Sequence, residues 1–167
     1  KKYNFYRLEM NYTGPKVKLS RKIGINMTQK AAKVAVRKPY PPVQQGPSKR
    51  RSKQSDYGRQ LLEKQRIRLQ YNISEKQMRN YYKKATQMPG NTGEIFIQLL
   101  EQRLDAVVLR SGLCRSIYQA RQMVNHGHVT VNGKKATVAS YSVKVNDVVK
   151  FKEKSAKLDV IQEAVRS

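Results

Sequence analysis

The chain has 167 residues, with 35 Lys or Arg against 11 Asp or Glu, giving a formal charge of +24 at neutral pH and a pI near 10.4. So large a one-sign charge opposes a compact free-standing monomer and favours a polyanionic partner. Nucleic acid comes first, because neutralising phosphates releases counterions. An anionic membrane is the weaker reading, since the sequence has no long apolar run and no basic amphipathic anchor. The single Cys114 excludes an internal disulfide and a cysteine-rich zinc site.

The chain opens on KKYNFYRLEM, which lacks the apolar core of a secretory signal. A lineage extension, a remnant of processing and a trimmed organellar targeting peptide all remain open for it. In the next stretch, YTGPKVKLSRK, Gly14-Pro15 disfavours regular structure, and Lys16, Lys18, Arg21 and Lys22 crowd a short arm. The expectation is an extended basic arm, mobile alone and ordered by the phosphates of a nucleic acid (RNA, by the resemblance given below); the bland alternative is a solvated tail. From Pro39 the text reads PYPPVQQGPSKRRSK, where prolines and glycine rule out a long helix. Its end holds Lys49, Arg50, Arg51 and Lys53, the densest charge run in the chain. Such a run can be a localisation signal, a phosphate anchor or a solvated face.

Two helices follow. Ser55 or Asp56 caps the first, which runs to about Tyr71, and Ser74 with Gln77 forms a capping box for the second. Leu61, Leu62 and Leu69 supply the apolar stripe of one; Met78, Tyr82 and Ala85 supply that of the other. Arg66, Arg68, Lys76, Arg79, Lys83 and Lys84 are then expected outward. Tyr57, Tyr71, Tyr81 and Tyr82 can stack on bases, although packing with an exposed hydroxyl is the commoner fate of tyrosine. Pro89-Gly90 ends the pair, and Asn91 with Glu94 caps a long helix beyond it.

The stretch from Glu101 to Phe151 organises the rest. Ile97, Leu100, Leu104, Val107 and Val108 keep helical spacing, and Gly112 stops that helix. Ser116 and Gln119 open a second helix with Ile117, Ala120 and Val124 on one face; Gly127 ends it. Val129 and Val131 then alternate with polar residues up to Asn132-Gly133, the favoured two-residue hairpin turn. Further alternation at Tyr141, Val143 and Val145 leads through Asn146-Asp147 to a last strand near Val148 to Phe151. Polar and basic residues gather in the second helix and the hairpin: Arg115, Ser116, Arg121, Gln122, Asn125, His126, His128, Lys134 and Lys135.

The run ARQMVNHGHVTVNG, with LLEQRLDAVVLRSG before it and ASYSVKVNDVV after it, resembles the S-four type of RNA-binding module. YTGPKVKLSRK, SDYGRQLLEKQR, MRNYYKKA and GNTGE narrow the resemblance to the S-four family of small-subunit ribosomal proteins, bacterial or organellar in type. It covers most of the chain from Tyr12 to about Phe151. It implies direct binding of small-subunit ribosomal RNA, early action in subunit assembly, and contacts with neighbouring small-subunit proteins that influence decoding accuracy. It also implies a place beside the path by which messenger RNA enters, where Lys49, Arg50, Arg51 and Lys53 would lie. The implied location is a ribosome in a bacterial cytoplasm, a mitochondrion or a plastid. KEKSAKLDVIQEAVRS resembles the beginning of a closing segment that continues in the family, so either a shortened lineage or a missing tail is expected.

The fold class expected is α+β: an extended basic arm (1–39), a helical lobe (40–95), an RNA-binding module of two helices and a short antiparallel sheet (96–151), and the start of a C-terminal segment (152–167). No catalytic residue, metal or cofactor is expected. Cys114 lacks a partner motif, Arg103 and Asp105 suit hydrogen bonds at a helix surface, and no phosphate loop or serine elbow appears. The alternatives are a fragment of an RNA-modifying enzyme that carries the same module and a ribosome-associated RNA chaperone. The enzyme would need a separate catalytic domain, for which no stretch here is long enough, and the chaperone would lack the upstream stretches YTGPK and SDYGRQLLEKQ.

Overall fold

The computed structural model describes residues 12–42 and 55–166, so Lys49, Arg50, Arg51 and Lys53 lie outside the described residues. The described residues fall into two compact units, one ending at Met78 and the other beginning at Arg79.

In the first unit, α1 (Lys16–Ile23) and α2 (Gln29–Arg37) occupy the stretch expected to be an extended arm. That expectation is corrected. Pro15 sits at the N-terminal boundary, where its missing N–H costs no helical hydrogen bond, and Leu19 and Ile23 recur one turn apart. Leu19, Ile23, Met27 and Ala31 are buried, so apolar burial outweighs the repulsion among the lysines around them. Gly24, at φ 73°, ends α1 with its N–H on Ser20 O (2.8 Å). Thr28 caps α2 by accepting the Ala31 N–H. Ser55 caps α3 (Asp56–Gln70) through the Gly58 N–H.

Before α4 (Glu75–Thr86) the expected capping box is present in both directions. Ser74 Oγ accepts the Gln77 N–H at 3.2 Å, and Gln77 Oε1 accepts the Ser74 N–H at 3.1 Å. The expected stripes are corrected in part: Leu69 and Ala85 are buried, but Leu61 and Tyr82 are exposed.

In the second unit, the expected long helix is two. Asn91 caps α5 (Thr92–Glu101), the chain breaks at Gln102-Arg103, and α6 (Leu104–Arg110) resumes. The break is stabilised from outside: Leu104 and Asp105 donate their N–H groups to Tyr141 O and Ala139 O, and Val143 N–H reaches Gln102 O. Ala139 to Val143 therefore serves the helix junction. It does not form the strand its alternation suggested; only Ser142 makes an isolated bridge, to Arg103, and Val145 is exposed.

The helix α7 (Ile117–Asn125) packs on α6. The sheet orders β2 (Lys134–Ala136), β1 (Val129–Val131) and β3 (Val149–Phe151), with β1 central and antiparallel to both. Val131 pairs with Lys134 across Asn132-Gly133, both at positive φ as the tight turn requires. Leu104, Val108, Cys114, Ala120, Val124, Val129 and Val131 form one buried cluster between α6, α7 and the sheet. A short α8 (Glu153–Ala156) and α9 (Asp159–Arg166) close the unit.

Candidate nucleic-acid interface

The module is built on a buried ion cluster. Arg103 and Asp105 are 1% and 0% exposed, not at a helix surface as their sequence suggested. Arg103 grips Asp105 with two parallel bonds, Nε to Oδ1 at 3.0 Å and Nη2 to Oδ2 at 2.6 Å. Its Nη1 donates to the Tyr81 hydroxyl at 3.1 Å, and Asp105 Oδ1 also accepts the Ala106 N–H. Arg121, expected on the outer face, has a side chain only 14% exposed, with Nη2 3.3 Å from Asp105 Oδ2. Burial opposes the charge of Arg103, but Asp105 and Tyr81 outweigh it and raise its pKa. Burial, with Arg103 nearby, lowers that of Arg121 despite the attraction of Asp105. Two guanidinium groups thus share one carboxylate, because a helix break and a separate helix converge on it.

On α7 the Ser116 hydroxyl accepts the Gln119 N–H, as its capping position predicts. Gln119 returns to the Arg115 N–H (2.9 Å), one residue earlier than a standard box. Gln122, Asn125 and His126 are exposed and Ser116 is half-buried. The rings of His126 and His128 stand 6.1 Å apart, and His128 Nδ1 meets Ser155 Oγ at 2.9 Å, tying α8 to β1. Lys134 and Lys135 are exposed on β2. The aliphatic stem of Lys135 crosses Gly127, where an added Cβ would come 2.2 Å from its Cε. So the hairpin, the end of α7 and their cations are brought together. Arg115 is drawn elsewhere: its guanidinium holds Glu163 Oε2 (2.9 Å) and Glu163 O (2.7 Å) on α9.

In the first unit the predicted cations divide. Lys18 and Lys22 are exposed. Lys16 donates to Tyr12 O at 2.5 Å, over the same tyrosine's ring, and burial lowers its pKa. Arg21 donates to Lys38 O and Tyr40 O with its guanidinium over the Tyr40 ring.

Two residues expected outward are drawn in. Arg66 donates to Ile23 O at 2.8 Å and pairs with Glu63, while Arg68 bonds Gln65 and lies 3.9 Å from Glu75. Glu63 and Gln65 stand three residues earlier on the same helix, whereas Ile23 and Glu75 belong to other helices, which spacing along one helix cannot reveal. Tyr57 is exposed, as is Arg79 at the start of the second unit.

Sequence reasoning missed Lys30, Lys33 and Arg37, all exposed on α2. The signal was available: these cations recur at helical spacing in QKAAKVAVR, away from Ala31 and Ala35, behind a Thr28 cap. Among the described residues no group of three His, Cys, Asp or Glu could hold a metal, and no helix is long and apolar enough to cross a membrane.

Two helices packed on a three-stranded antiparallel hairpin sheet, with cations on the hairpin, define an S4-domain protein. The S4 domain model matches residues 102–149, and the model of the ribosomal protein S4/S9 N-terminal domain matches residues 11–101. The chain is 51% identical over 149 residues to small ribosomal subunit protein uS4 of Thermobifida fusca, covering 89% of this chain and 73% of the relative. It is 52% identical over 145 residues to the protein of that name from Streptomyces avermitilis, covering 87% and 70%. With that of Geobacillus stearothermophilus it shares 47% over 156 residues, covering 93% and 77%. The chain belongs to the uS4 family of small ribosomal subunit proteins.

Proposed function

We propose that the chain is a structural, non-catalytic component of the small ribosomal subunit, binding small-subunit ribosomal RNA directly and early in assembly. One observation carries the reading. Val129 and Val131 of the hairpin are buried in the apolar cluster, while Lys134, Lys135 and the adjoining His126 face solvent together. A surface of this kind makes sequence-blind phosphate contacts that fix register on a folded RNA. Family membership supports the ribosome as the site of action. The potential reactive groups support a non-catalytic role: Cys114 is buried and its thiol is pushed up to about 11, away from thiolate chemistry at neutral pH.

The test is retention of a small-subunit ribosomal RNA transcript on filters over a range of salt. Replacing Lys134 and Lys135 together with alanine should weaken binding and lower the slope of log affinity against log salt by about 2, roughly one for each phosphate no longer neutralised. Wild-type affinity with an unchanged slope would remove the hairpin from the interface.

A finer role concerns Lys49, Arg50, Arg51 and Lys53, supported by their place between Gln45-Gly46 and Ser55-Asp56-Tyr57-Gly58, inside the stretch that the family model matches. These cations grip messenger RNA where it enters the subunit and help hold opened strands apart. Contacts to a neighbouring small-subunit protein influence decoding accuracy. Changing Lys49, Arg50 and Arg51 to alanine should leave assembly intact but slow translation through a stable hairpin. Equal slowing on hairpin-free messengers, or failed assembly, would make the run an ordinary ribosomal-RNA anchor.

A further inference from the structure

Tyr82 is 56% exposed in the middle of a helix, although its position on α4 belongs to the helix's apolar stripe. Its ring is not loose. It meets Phe96, 6% exposed on α5, in a T-shaped contact with centroids 6.1 Å apart and planes at 74°. Such a contact fixes an aromatic ring while leaving much of its surface in water. Two exposed cations flank it: Arg79, one turn earlier on the same face, and Lys83, a little over a quarter turn round the helix. A rigid aromatic plane flanked by two cations matches one ligand chemistry well. An unpaired nucleobase stacks on the ring while its flanking phosphates meet the cations, and the ordering cost on the protein side is already met by Phe96.

We propose that Tyr82 is a stacking platform for an unpaired base of the small-subunit ribosomal RNA, with Arg79 and Lys83 holding the adjoining phosphates. The proposal rests on the RNA-binding reading above and adds a base contact to its phosphate contacts. It differs from the hairpin surface in kind, since stacking carries no counterion release.

The chain contains no tryptophan, so a Tyr82→Trp variant of the full chain has a single indole at the proposed site. Its fluorescence should be quenched when the ribosomal RNA transcript is added, at the concentrations where filters retain the complex. Tyr82→Phe should bind like the wild type. Tyr82→Leu should melt at the wild-type temperature yet bind about 5- to 150-fold more weakly, with its salt slope unchanged. Arg79→Ala should instead lower the slope by about 1.

Retention without quenching overturns the platform and leaves the RNA-binding reading standing. A Tyr82→Leu variant that binds at full strength does the same and leaves Tyr82 as a face for a protein partner. Absence of retention by the wild-type chain overturns both.

Discussion

Replacing Asp105 with asparagine tests the buried cluster most severely. The carboxylate accepts from Arg103 Nε and Nη2 and from the Ala106 N–H, and lies 3.3 Å from Arg121 Nη2. Asparagine keeps the volume but removes the charge, and turns an NH2 donor toward groups that only donate. Two guanidinium groups, with side chains 1% and 14% exposed, are then left facing each other with no carboxylate between them. Removing one partner of a buried pair costs about 3–5 kcal/mol, a large share of the roughly 5–15 kcal/mol that holds a domain together. For a chain of this size that is a fall in melting temperature of about 6–20 °C.

The assay is thermal and urea denaturation followed by far-ultraviolet circular dichroism. A second variant separates the effect of charge from that of shape: Arg103→Met combined with Asp105→Asn removes one orphaned cation along with the carboxylate. It should recover part of the stability, giving a coupling of about 0.5–3 kcal/mol between the two sites. A cost below about 1 kcal/mol for Asp105→Asn, or strict additivity in the double variant, would refute the claim that Asp105 holds the junction through charge.

Two single residues provide further tests. Cys114 should resist alkylation in the folded chain at pH 8 and react once urea unfolds it. Burial raises its thiol from an ordinary value near 9 to about 11, so only the unfolded thiol ionises between those values, and its contribution to stability falls as pH rises from 9 to 11. Fast labelling without denaturant would contradict this. Gly127→Ala should cost about 1–2 kcal/mol, because the residue sits at φ 71° and the new methyl must displace the stem of Lys135. An unchanged denaturation midpoint would show that this left-handed turn is not required.

The features legible in the sequence are those whose causes lie within a few residues. Ser74 and Gln77 cap each other across three positions, and Ser116 needs only the N–H of Gln119. Asn132-Gly133 dictates a turn by backbone conformation alone, and the turn sets the register of β1 with β2. Such signals determined where α4, α7 and the hairpin begin and end.

What the tertiary structure decided is where each charge goes. Lys134 and Arg121 read alike in a string of basic residues. One stands in water on a strand, while the other is drawn inward because a carboxylate sixteen positions earlier is buried beneath it. Arg66 turns to the Ile23 carbonyl and Arg115 to Glu163, each across a separation that no periodicity encodes. The extended arm became α1 and α2 because Leu19, Ile23, Met27 and Ala31 found a common core, and the long helix broke at Gln102-Arg103 because Ala139 and Tyr141 supplied acceptors there. A side chain's fate depends on the hydrogen-bond and apolar partners that folding brings to it, and those partners are distant in the chain.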